Sequence, residues 1–108
     1  MGQGVKTFLV MRSPGRRWVA GLGPRSQPLW DEHASFMDDL FERGIVVLAG
    51  PFADDSGAVL VCEAADAADV HAALLPDPWV ANDIQEVGEI REWTLFLDAR
   101  LSNSRSGA

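Results

Sequence analysis

The chain has 108 residues, 47% of them hydrophobic, and a formal charge of −7 with one lysine. That length suits one domain burying about two thirds of the surface its unfolded chain exposes, and so few cations argue against nucleic acid, whose binding is mostly phosphate neutralisation. No apolar run approaches the ~20 residues of a membrane span and no signal-peptide core follows Met1, so a cytoplasmic protein that does not engage a membrane is expected.

Val5 to Arg12 reads as a strand, with Phe8, Leu9, Val10 and Met11 apolar on both faces, as in the centre of a sheet. Ser13 to Gln27, with Pro14, Gly15, Gly21, Gly23 and Pro24, is a long connection, and such loops in small domains are usually functional or mobile. Trp18 and Val19 suggest a flap able to pack on something. Arg12, Arg16, Arg17 and Arg25 are a local excess of positive charge, read first as a solvated loop and second as an anion-steering patch.

Pro28 to Gly44 is predicted to be an amphipathic helix. Leu29, Trp30, Phe36, Met37 and Leu40 share a stripe with His33, opposite Asp31, Glu32, Asp38, Asp39 and Glu42. Pro28 suits the first helical position and Gly44 a left-handed stop. Ile45 to Ala49 follows as a strand ended by Gly50-Pro51, and Ala58 to Glu63 returns after the turn at 53–57. Cys62 lies in this apolar run and cannot form an internal disulfide, so a buried core thiol is expected. Asp66 to Leu75 is a short helix capped by Asp66, with His71 at the edge of its apolar stripe. Pro76 and Pro78 flank Asp77 and push both Leu75 and Asp77 toward extended backbone. The last strand runs from about Ile84 to Leu97, and its apolar period changes phase near Gly88, as a bulge there or a strand shared between partners would require. One domain is expected over residues 1–98, with a disordered tail over 99–108.

The order β-α-β-β-α-β folds into a four-stranded antiparallel sheet with both helices on one face, a ferredoxin-like α+β fold. The other face, apolar in its first three strands, would be bare in a monomer, so a homodimer joined through the sheets is expected.

His33 is a titratable group on an apolar stripe, and Asp77 is a carboxylate between two prolines, just past a helix C-terminus where it should seek a cation or a donor. A pairing of the two would tune a general base, provided the Asp77-Pro78-Trp79 segment folds back toward His33. The alternatives are a core histidine bonded to a backbone carbonyl and a structural turn aspartate. Trp30 and Trp79 would wall a site for a flat cyclic ligand, or simply pack the core. Two histidines on separate helices give no metal-ligand set, and no phosphate-loop or dinucleotide pattern occurs, so no cofactor is expected.

An opening strand, a helix carrying W-x-x-H-x-x-F-M at Trp30, His33, Phe36 and Met37, a glycine stop, the Gly50-Pro51 pair and Asp77-Pro78-Trp79 before a closing strand together resemble the YCII-related domain. The resemblance spans nearly all of Val5 to Leu97. It implies a dimeric α+β barrel related to muconolactone isomerase, with His33 and Asp77 as an acid–base pair in a pocket. Met37, Gly50 and Pro51 join the two tryptophans as implied substrate contacts. One member of the family is a dehydrochlorinating enzyme acting on a hydroxyquinone. Isomerisation or elimination on a small cyclic molecule is therefore the leading expectation, and a non-catalytic ligand-binding or assembly module the alternative. The sequence departs from the family in having Pro76 before Asp77 and in its long arginine-bearing loop.

Overall fold

A computed structural model describes residues 4–100; the expected tail lies outside the described residues except for Ala99 and Arg100. The elements are β1 (Lys6–Pro14), α1 (Trp30–Glu42), β2 (Val46–Pro51), β3 (Ala58–Ala64), α2 (Ala67–Leu74), α3 (Pro78–Ala81) and β4 (Gln85–Glu92), with a single 3₁₀ turn at Pro24–Ser26. The sheet order is β2-β3-β1-β4, with antiparallel neighbours throughout. This is the ferredoxin-like α+β arrangement expected from the element order, with β1 and β3 central.

Strand alternation assigns the faces. Phe8 and Val10 of β1, Leu60 and Cys62 of β3 and Val46 of β2 form one buried cluster with Leu40 of α1 and Val70 and Leu74 of α2. Both long helices therefore cover the same side of the sheet, and burial of their apolar stripes is the main force holding them there. Cys62 is fully buried, and burial pushes its thiol up to about 11 against the opposing pull of Arg12, as suits a core residue. On the opposite side Leu48 is 59% exposed.

Two bulges set the local phase. Between Val10 and Arg12 of β1 the β4 partner steps from Ile90 to Val87, one residue too many, which is the bulge expected near Gly88. A Cβ on Gly88 would meet the Met11 carbonyl oxygen at 3.2 Å. A similar shift in β2 pairs Val46 with Cys62 and Leu48 with Val61, so that Ala49 falls opposite Leu60.

Several expectations are corrected. Pro28 is not the first helical residue: α1 starts at Trp30, after Leu29 in the left-handed region at φ 61°. Pro51 does not follow β2 but ends it, opposite Ala58 on an edge strand where a proline is tolerated. Leu75 stays right-handed helical despite Pro76, because its N–H still donates to His71 O. The last strand stops at Glu92 and not near Leu97, because β1 begins at Lys6 and its ladder with β4 runs out beside Phe8. A one-turn helix, α3, was not foreseen; Pro78 is preorganised for its first turn, and Asp77 caps it by accepting from Trp79 N at 2.9 Å.

Candidate active site

The site lies at one end of the sheet, where β1, α1 and α3 meet. α3 solves the problem of reach: directly after α2 it turns the chain, and Trp79 Nε1 donates to Pro28 O at 2.8 Å, tying α3 to the entry of α1. Asp77, fully buried, thereby comes within 2.9 Å of His33 Nδ1 through either carboxylate oxygen. Asp77 therefore does not stand at the unfavourable end of α2 alone; it sits at the N-terminus of a new helical turn.

A third member completes the cluster. Arg12 Nη2 donates to Asp77 Oδ2 at 2.8 Å, with both side chains buried. This corrects the reading of Arg12 as a solvated loop cation, because β1 extends past it and holds it in phase with Phe8 and Val10 on the helix-covered face. The sequence signal was there: positions 8, 10 and 12 keep a period of two. Apolar residues on both faces of β1 mask it. Arg16, by contrast, is an exposed loop residue paired with Asp83 at 2.7 Å.

Burial by itself would raise the Asp77 pKa. Hydrogen bonds from His33 and Arg12, together with their charge, outweigh it and hold the carboxyl below its ordinary range. An ionised carboxylate only accepts, so His33 Nδ1 must carry a proton toward it. In the neutral ring this leaves Nε2 as the acceptor. The ring is held on its face as well, stacked on Trp79 with centroids 3.8 Å apart and planes within 5°.

A pocket of about 600 Å³ opens onto His33. Its wall also includes Trp30, Met37, Gly50, Pro51 and Trp79, the five residues expected to contact a ligand. Asp77 lies behind that wall and reaches the pocket only through the groups it holds. Trp18 meets Trp79 edge to face at 5.6 Å, and Trp30 lies 5.7 Å from both His33 and Trp79. Trp30 and Trp79 thus contact the imidazole directly, and Trp18 extends the aromatic lining through Trp79.

The long β1–α1 connection forms a second wall through Trp18, Gly23, Pro24, Arg25 and Ser26. Gln27 is the buried clamp that shapes it. Its Oε1 accepts from Val19 N at 2.8 Å, and its Nε2 donates to Val19 O and Leu22 O, both at 2.9 Å. The base of the loop is stitched to the α3–β4 turn, with Gly15 N donating to Ile84 O and Arg17 N to Asp83 O. A Cβ on Gly15 would fall 2.3 Å from Asp83 O, so only glycine permits that approach. His71, the other histidine, is exposed on α2, away from these groups. Among the described residues no group of three or more His, Cys, Asp or Glu gathers as a metal site, and no helix is long and apolar enough to cross a membrane.

A family model described as the YCII-related domain matches residues 9–94. No curated protein and no solved structure gives a match.

Proposed function

The chain belongs to the YCII-related domain family, and from that premise we propose that its pocket performs cofactor-independent proton transfer on a small cyclic substrate, giving isomerisation or elimination. The observation that carries the reading is the buried His33 Nδ1–Asp77 contact of 2.9 Å on a histidine that also lines the pocket. His33 Nε2 takes the proton from an acidic C–H or O–H, the C–H or O–H electron pair stays on the substrate, and the imidazolium returns the proton to another atom or gives it up after a leaving group departs. Asp77 fixes the tautomer and stabilises the imidazolium; it acts through His33 and does not itself touch substrate. The lining of Trp18, Trp30 and Trp79 favours a flat ring over an extended chain.

The test is turnover of enolisable lactones and halogenated hydroxyquinones. Activity lost in His33→Ala and sharply reduced in Asp77→Asn, with folding intact by circular dichroism, supports the proposal. Wild-type rates in His33→Ala would remove it. A second reading, a non-catalytic ligand-binding module, draws on the structural duties of Asp77, which caps α3 and pairs with Arg12 besides meeting His33. Ligand binding without turnover, unchanged by His33→Ala, would favour that reading.

Two further parts belong to the proposal. The protein is a homodimer through the outer sheet face, where exposed Leu48 pairs with Val61 and shares the face with Leu9, Met11 and Val59; sedimentation of a monomer at micromolar concentration would overturn this. It works in the cytoplasm, a location consistent with a single, free and buried cysteine.

A further inference from the structure

We propose that the pocket selects a flat, singly negative small molecule, drawn in by Arg25 at the rim and held at the floor by Arg12, whose Nη1 exchanges the Met37 sulfur for a ligand carboxylate or ring oxygen. The inference rests on this pocket being the site proposed above, but it does not depend on turnover.

The first support is a local reversal of charge. The chain carries −7 overall, yet the pocket wall presents Arg12, Arg25 and His33 against a single acid, Asp55. Asp77 balances Arg12 from behind. Arg25 is exposed and has no hydrogen bond or ion pair among the described residues, and it stands on the 3₁₀ turn that lines the pocket. An unpaired cation at a concave, apolar-walled mouth focuses its field on an incoming anion.

The second support is spare donor capacity at the floor. Arg12 is buried, its Nε has no partner, and its Nη1 meets only Met37 Sδ at 3.8 Å. A guanidinium offers five N–H donors, and a thioether is a weak acceptor on a flexible, adaptable side chain. Met37 is half-buried and lines the same pocket. An oxygen displacing that sulfur gives Arg12 a charge-assisted hydrogen bond without disturbing its Nη2 contact to Asp77.

Charge also balances through the reaction. Before proton transfer Arg12, Asp77 and neutral His33 sum to zero, and the charge of Arg25 at the rim offsets the single charge of the ligand. Afterwards the proton resides on His33 Nε2 and its electron pair on the ligand. The cluster gains one positive charge as the ligand gains one negative, so no uncompensated charge is created inside the site.

The test compares benzoate with benzamide, the same flat ring with and without the charge, by NMR titration of the Trp18, Trp30 and Trp79 indole N–H groups. The expected result is binding of benzoate roughly tenfold tighter than benzamide, weakened by added salt. Arg25→Gln, a change at an exposed and unpaired side chain, lowers benzoate affinity roughly threefold or more and leaves benzamide unchanged. Arg12→Lys, which keeps a charge for Asp77 but loses the planar fork, also erodes the preference. Equal affinities, tighter benzamide, no saturable shift with either compound, or an Arg25→Gln variant that weakens both alike overturns the proposal. The two claims separate in His33→Gln: lost turnover with retained benzoate preference supports both, whereas retained turnover removes the acid–base reading and leaves anion selection standing.

Discussion

Two arginines four residues apart hold two aspartates at almost the same distance, and the pairs have little else in common. Arg12 and Asp77 meet at 2.8 Å with side chains 1% and 0% exposed; Arg16 and Asp83 meet at 2.7 Å with side chains 76% and 51% exposed. The first pair sits under a sheet, two helices and an aromatic lining. The second lies in water, where Coulomb attraction is screened and ordering two side chains cancels most of the gain. Distance does not distinguish them; the surroundings do. The buried pair also shares its carboxylate with His33 and the α3 cap, so three groups depend on one residue, whereas the exposed pair fastens only a loop.

The sharpest way to break the contrast is to remove the cations one at a time. Arg12→Ala leaves the Asp77 carboxylate buried with only His33 as charge partner and lowers stability by about 3–5 kcal/mol, read by urea unfolding. Replacing both charges at once, Arg12→Met with Asp77→Leu, recovers part of that loss, because no lone charge is left in the interior. A double variant less stable than Arg12→Ala would show that the α3 cap and the His33 contact outweigh the ion pair.

Acid separates the pairs next. The folded Asp77 pKa lies below its unfolded value, so its contribution is fully present above about pH 4 and is lost as pH falls through the lower folded value. Wild type therefore loses stability over that window more steeply than Asp77→Asn, while Arg16→Ala follows the wild-type slope. Matching slopes in wild type and Asp77→Asn would mean that Asp77 is not held ionised by its neighbours.

Gly15 tests how much the exposed region matters to the buried one. Gly15→Ala drives a methyl group into the Asp83 carbonyl, detaches the loop base and costs about 1–3 kcal/mol. Because Trp18 lies on the same loop, the Trp18 indole resonance should move with it. Smallest of all, Arg16→Ala changes stability by less than about 1 kcal/mol and leaves the pocket resonances in place.

The same contrast explains what the sequence made legible. The α1 stripe was readable because six residues at helical spacing repeat one signal, and His33 stood out as its single titratable member. Asp77 was readable from its two flanking prolines. Their meeting was not, because it depends on α3, a single turn too short to show a period, and on Leu29 adopting a left-handed conformation that its side chain does not favour. Arg12 was grouped with Arg16, Arg17 and Arg25 by proximity along the chain, yet one more residue pair of β1 carries it inside. Gln27 left no trace in composition; a buried amide that organises a loop is visible only once the loop has closed around it.

The bulges and the placement of Pro51 bear on how copies of this chain can meet. The two outer strands, β2 and β4, are poor templates for further strands: β2 is offset at Val46/Leu48 and ends in a residue without an N–H, while β4 is offset near Gly88 and exposes Glu86, Glu89, Arg91 and Glu92. Growth of the sheet sideways into an open-ended ribbon is thereby discouraged at both margins. In the homodimer proposed above, contact between copies would therefore use the broad face of the sheet.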